Sequence, residues 1–71
     1  MHDHRMLGAL SRRERELLPL LCEGLSNAEI GWNLGISEKT VRNHLTRLYQ
    51  KLGVHSRAAT IAFVYEHQLL G

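Results

Sequence analysis

Cysteine, proline and aromatic residues are scarce in this chain, and acidic residues are missing altogether from one stretch of it. The single cysteine, Cys22, excludes an internal disulfide and any multi-cysteine zinc site. Proline occurs once, at Pro19, and aromatic residues make up 6% of the chain. No apolar run approaches the ~20 residues needed to span a bilayer. Met1 to Leu10 carries neither an apolar signal core nor a small-residue cleavage site. The expectation is a soluble, cytoplasmic chain. No glycine-rich phosphate loop is present, Cys22 lacks a spaced histidine partner, and the carboxylates fall at positions that suit helix surfaces. Enzymatic chemistry and a bound cofactor are therefore not expected. The 71 residues suffice for one small domain and leave no room for a second core.

What is there begins with the charge. Nine basic residues against seven acidic ones give a formal net charge of +2, a modest figure that hides a strong asymmetry. Lys39, Arg42, Arg47, Lys51 and Arg57 stand in a segment without a single acid, so that segment carries +5 and the remainder −3. Such a dipolar surface orients a polyanion as well as attracting it. Charge alone is equally compatible with an ordinary solvated helix face.

Punctuation along the chain is regular. Ser11 to Gly24, Ser26 to Gly35, Ser37 to Gly53 and Ser56 to Gly71 each open with serine and close with glycine. Serine accepts hydrogen bonds from the unpaired amides of a first helical turn, and glycine ends a helix in the left-handed conformation. Ser11 with Glu14 and Ser26 with Glu29 have the spacing of full capping boxes. The expected fold is all-α, a compact domain of four helices over residues 9–71. Residues 1–8 are expected to be a flexible lead-in or linker remnant. Their His2, Asp3 and His4 are read as part of that lead-in and not as a metal site. Leu17, Leu18 and Leu21, with Leu10 just ahead, form the apolar side of the first helix, and Ile30 and Leu34 that of the second. In the third, Val41, Leu45, Leu48 and Leu52 form a stripe with period 3.6. Pro19 predicts a bend within the first helix.

Leu34-Gly35-Ile36-Ser37 joins the second and third helices within the span of a helix-turn-helix. Turning the apolar stripe of the third helix to the core sends Lys39, Asn43, Thr46, Arg47 and Gln50 to the opposite side, with Arg42 on the flank. These are residue types that read or grip DNA. Arginine pairs with guanine, asparagine with adenine, threonine meets the thymine methyl, and cations neutralise phosphates. An exposed helix face of any protein is also rich in such residues. The added weight comes from the short glycine-bearing turn, the capped preceding helix and the acid-free segment.

The stretches Leu10-Ser11-Arg12-Arg13-Glu14-Arg15-Glu16-Leu17-Leu18, Glu23-Gly24-Leu25-Ser26-Asn27-Ala28-Glu29-Ile30, Leu34-Gly35-Ile36-Ser37-Glu38-Lys39-Thr40-Val41-Arg42-Asn43-His44 and Lys51-Leu52-Gly53-Val54-His55-Ser56-Arg57 resemble, in order and spacing, the motifs of the LuxR-type helix-turn-helix domain. That module occurs in quorum-sensing and NarL/FixJ-type regulators and in the free-standing regulator GerE. The resemblance implies bacterial transcription regulation by a four-helix domain whose third helix enters the major groove, bound as a homodimer to an inverted repeat. RNA polymerase is a further partner it suggests. Residue by residue it places base contacts on Arg42, Asn43 and Thr46. Backbone contacts fall on Ser26, Asn27, Lys39, Thr40, Arg47, Lys51 and Arg57. It leaves two readings of the chain, a complete small regulator or the effector domain of a longer protein. Gly31 stands where the family usually has alanine, lowering helix propensity by ~1 kcal/mol. Trp32 is large for that helix and is expected to pack against the first helix or the N-terminal arm.

Glu14 has two open readings, completing the Ser11 box or pairing with Arg57. His44 is expected to be a partly buried packing residue. The fourth helix, almost without a polar side, is assigned to dimerisation. Ile61 and Val64 would cover the core, leaving Ala58, Ala62, Tyr65 and Leu69 for a second copy. The alternative is a helix sunk so deeply that both sides serve the monomer. A competing function for the whole domain is a protein-interaction module that contacts RNA polymerase or another regulator without reading DNA.

Overall fold

The structure, a computed structural model, describes residues 4–70, with side chains from Leu7 onward. Five helices follow one another: α1 His4–Ala9, α2 Arg12–Cys22, α3 Asn27–Leu34, α4 Glu38–Leu52 and α5 Arg57–Glu66. No strand occurs among the described residues. The four helices expected from the serine and glycine punctuation are α2 to α5. Helix α1 is an addition, a six-residue segment lying across part of the expected lead-in. It has no acidic residue in its first turn and no basic residue in its last, so nothing in its sequence marks a helix there. His2 and Asp3 lie outside the described residues, as does the His4 side chain.

All four serines cap. The side chains of Ser11, Ser26, Ser37 and Ser56 accept from the backbone amides of Glu14, Glu29, Thr40 and Ala59. Both capping boxes are complete, with Glu14 and Glu29 accepting in return from the amides of Ser11 at 2.7 Å and Ser26 at 2.8 Å. Helix α2 runs on through Pro19, which sits on its exposed side, where water can meet a carbonyl that has lost its amide partner.

Helix α4 packs against α2, α3 and α5, and α2 against α5. The core consists of Leu10, Leu17, Leu18, Leu20, Leu21, Ile30, Val41, Leu45, Leu48, Leu52, Val64 and Leu69. The complete α4 stripe is therefore buried, which leaves the rotation of that helix no freedom.

Two turns carry backbone requirements. Gly35 closes α3 at φ 71°, and the Ile36 amide donates to the Gly31 carbonyl at 2.9 Å. This turn brings the Ile36 carbonyl so near α3 that a Cβ on Gly31 would lie 2.6 Å from it. Glycine at 31, a poor helix former, is thus matched to a tight helix-to-helix turn. The end of α5 departs from expectation. The helix stops at Glu66 and the chain reverses through Gln68 at φ 54°, with the Gln68 amide donating to Tyr65 and the Leu69 amide to Val64. That reversal turns Leu69 into the core, where it is 4% exposed. Leu69 therefore does not belong to an outward-facing dimer surface.

Candidate nucleic-acid interface

The outer side of α4 is set by its buried one. With Val41, Leu45, Leu48 and Leu52 facing inward, Lys39, Arg42, Asn43, Thr46, Arg47 and Gln50 are all exposed. Lys39, Asn43 and Arg47 make no side-chain hydrogen bond or ion pair with any described residue. Arg42 lies 3.6 Å from Glu38, a half-exposed i,i+4 pair of the kind that contributes ~0.3–0.5 kcal/mol. The Thr46 hydroxyl donates to the Arg42 carbonyl at 3.0 Å. Its oxygen keeps acceptor capacity, and its methyl group supplies the apolar contact that a thymine methyl calls for. At the start of α4 the hydroxyls of Ser37 and Thr40 lie 2.8 Å apart, so Thr40 is held to the cap. His44 is half-buried beside the core stripe.

Of the other expected phosphate contacts, Ser26, Lys51 and Arg57 are engaged within the protein, and Asn27 is engaged through its amide oxygen. Ser26 serves the α3 cap through both its hydroxyl and its amide. Glu29 is held below the ordinary carboxylate pKa, first by the Ser26 amide and then by its hydroxyl. Lys51 donates to Glu14 at 2.7 Å, its own side chain 39% exposed against 2% for the carboxylate. Burial alone would push the Glu14 carboxyl up, but hydrogen bonds from Lys51 and the Ser11 amide, with the lysine's charge, bring it below its usual value. Glu14 thus completes the capping box and also pairs with a cation, and that cation is Lys51, not Arg57. Arg57 crosses instead to the entry of α3, donating to the Leu25 carbonyl at 2.9 Å and to Asn27 Oδ1. Sequence reasoning missed both ties because they join residues 37 and 30 positions apart.

On α5, Ala58, Ala62 and Tyr65 are exposed, while Val64 and Thr60 are buried. Thr60 satisfies its hydroxyl on the Ser56 carbonyl at 2.8 Å. Burial raises the pKa of the Cys22 thiol, against a hydrogen bond with Tyr65 that lowers it, and a protonated thiol is a poor nucleophile. Trp32 departs from expectation: it is 92% exposed and is not packed against α2. Ile30, Gly31 and Leu34 turn toward the core and the α3–α4 turn, which leaves position 32 on the far side of the helix. A shallow groove of about 360 Å³ lies at the end of α4, lined by Thr46, Tyr49, Gln50, Gly53, Val54 and His55.

A short-linked helix pair, a buried stripe and a free polar-basic row are the parts of a helix-turn-helix, and comparison with known proteins gives the same answer. Residues 8–64 match the model of bacterial regulatory proteins of the LuxR family. The chain belongs to that family. It is 48% identical over 60 residues to a probable transcriptional regulatory protein, SgaR, of Hyphomicrobium methylovorum, covering 84% of this chain and 28% of the relative. Among solved structures it resembles ChrA, the response regulator of a heme-sensing two-component system, with a TM-score of 0.81 and 48% identity over 86% of this chain and 30% of the other. It also resembles the transcription factor GerE, with a TM-score of 0.76 and 43% identity over 84% of this chain and 90% of that one. The LuxR-family chain described here therefore spans less than a third of SgaR and ChrA and nearly all of GerE. Among the described residues no helix is long and apolar enough to cross a membrane.

Proposed function

We propose that this LuxR-family domain binds double-stranded DNA sequence-specifically, with α4 in the major groove, to regulate transcription in the bacterial cytoplasm. The observation that carries the reading is the exposed row Lys39, Arg42, Asn43, Thr46, Arg47 and Gln50, held rigid by a fully buried stripe on the opposite side of the helix. Fifteen residues make α4 about 22 Å long, enough to lie along the groove. Arg42, Asn43 and Thr46 are assigned to base edges, and Asn27, Lys39, Thr40 and Arg47 to phosphates. The domain acts as a homodimer on an inverted repeat. Ala58 and Ala62 on α5 allow close helix approach, Tyr65 supplies an exposed aromatic, and the two half-sites would lie ~34 Å apart.

Titration into randomised duplex DNA at two salt concentrations, with sequencing of what is retained, tests both parts. Recovery of an inverted repeat that Arg42→Ala abolishes supports the reading. Salt-sensitive retention without a motif defeats the sequence-specific dimer and leaves a phosphate grip. The exposed indole of Trp32 favours a second reading, in which the fold binds a protein such as RNA polymerase. In that case no DNA is retained and Arg42→Ala and Arg47→Ala leave activity intact.

A further inference from the structure

We infer that Arg57 is a positioning residue for DNA, acting through Asn27 and touching no phosphate itself. The inference rests on the DNA-binding reading above. Arg57 opens α5, Asn27 opens α3, and the guanidinium bridges them by donating to the Leu25 carbonyl and to Asn27 Oδ1. The chemistry fixes the orientation of the asparagine. A guanidinium has only donors, so the atom it meets on the amide must be the oxygen, and the NH₂ group must point away from it. No hydrogen bond within the described residues uses that NH₂ group. Among the described residues no buried side-chain nitrogen or oxygen lacks a partner, so on the half-buried Asn27 this nitrogen reaches solvent.

An asparagine free to flip presents its oxygen to an approaching phosphate about as readily as its NH₂ group, and the oxygen is repelled. Arg57 removes the wrong orientation before DNA arrives. It does so from the element that follows α4, so the α3 contact is set by the same packing that sets the recognition helix. Arg57 is also half-buried, its donors directed at protein oxygens. A phosphate contact by Arg57 itself would have to break that bridge.

The test is a double-substitution cycle on binding to a mixed-sequence duplex, since a phosphate contact is independent of sequence. Folded fractions are checked by circular dichroism. Asn27→Ala is expected to weaken binding about tenfold, Arg57→Ala by a similar factor, and the double variant by about tenfold in total. Asn27→Asp keeps an oxygen for Arg57 and so keeps the fold, but it loses the donor. It is expected to bind more weakly than Asn27→Ala at unchanged thermal midpoint, which separates a loss of binding from a loss of fold. Arg57→Lys, able to hold one of the two oxygens, should restore part of the loss. Factors that multiply in the double variant would mean that Arg57 meets DNA directly, and full binding by Asn27→Asp would mean that the NH₂ group is not used. Either result overturns the inference while leaving DNA binding standing. Failure of the unsubstituted chain to bind any duplex at low salt overturns both.

Discussion

The cations of α4's outer row and those at its end and just beyond look alike in sequence and behave differently in the structure. Among the described residues Lys39 and Arg47 have no side-chain bond, and Arg42 has only the half-exposed Glu38. Lys51 and Arg57, in the same acid-free segment, turn back onto Glu14 and onto the entry of α3. The first group is charge kept available, and the second is charge used to hold helices together. A basic segment is therefore a mixed population, and its net charge overstates what it can offer to a polyanion.

The largest effect should come from the inward group. Glu14→Ala removes a capping-box carboxylate and the buried acceptor of Lys51 together, and should destabilise the domain by ~2–3 kcal/mol in urea unfolding. A loss below ~0.5 kcal/mol would show that the Lys51 tie is no more than a surface pair and would collapse the distinction. Arg42→Ala is the counterpart from the outer row. It should change stability by less than ~0.5 kcal/mol while costing ~1–3 kcal/mol of binding to a selected operator, checked by running both titrations on one preparation.

Acid sharpens the comparison further. The Glu14 pKa is lowered from 4.5 in the folded chain, so its contribution is fully present above that value and lost as pH falls through the folded pKa. Glu29 acts with the same sign. Urea midpoints at neutral pH and at about pH 3 should differ less in Glu14→Gln than in the unsubstituted chain. Equal differences would place the acid sensitivity elsewhere.

Local chemistry explains what the sequence revealed and what it hid. Serine caps and the left-handed glycines at 24, 35 and 53 act within a few residues, so α2 to α5 and the recognition row could be located in advance. Gln68 adopts the same left-handed conformation without being a residue type that advertises it, and the turn is held by burying Leu69. That burial depends on the assembled core, which is why the sequence pattern alone puts Leu69 on the outer surface. Trp32 is hard to place from sequence for a related reason. Its size suggests a packing partner, whereas the close approach at Gly31 decides which side of α3 faces inward. Ties such as Lys51 to Glu14 need two distant helices to be docked before either residue's role can be read.

The smallest expected effect tests whether the outer row is fully available. Among the described residues Glu38 is the one acid paired with a proposed base-contacting residue, and in the free domain Arg42 lies close enough to interact with it. A guanine and Glu38 would then compete for the same guanidinium, and the carboxylate would also repel nearby phosphates. Glu38→Gln should raise affinity for the selected operator two- to fivefold at low salt, roughly 0.4–1 kcal/mol, with the gain shrinking as salt screens the charge. Removing an acid from the first turn of α4 should cost no more than ~0.5 kcal/mol of stability. Weaker binding by Glu38→Gln would give the carboxylate the opposite role, holding Arg42 in position for the base as Arg57 holds Asn27.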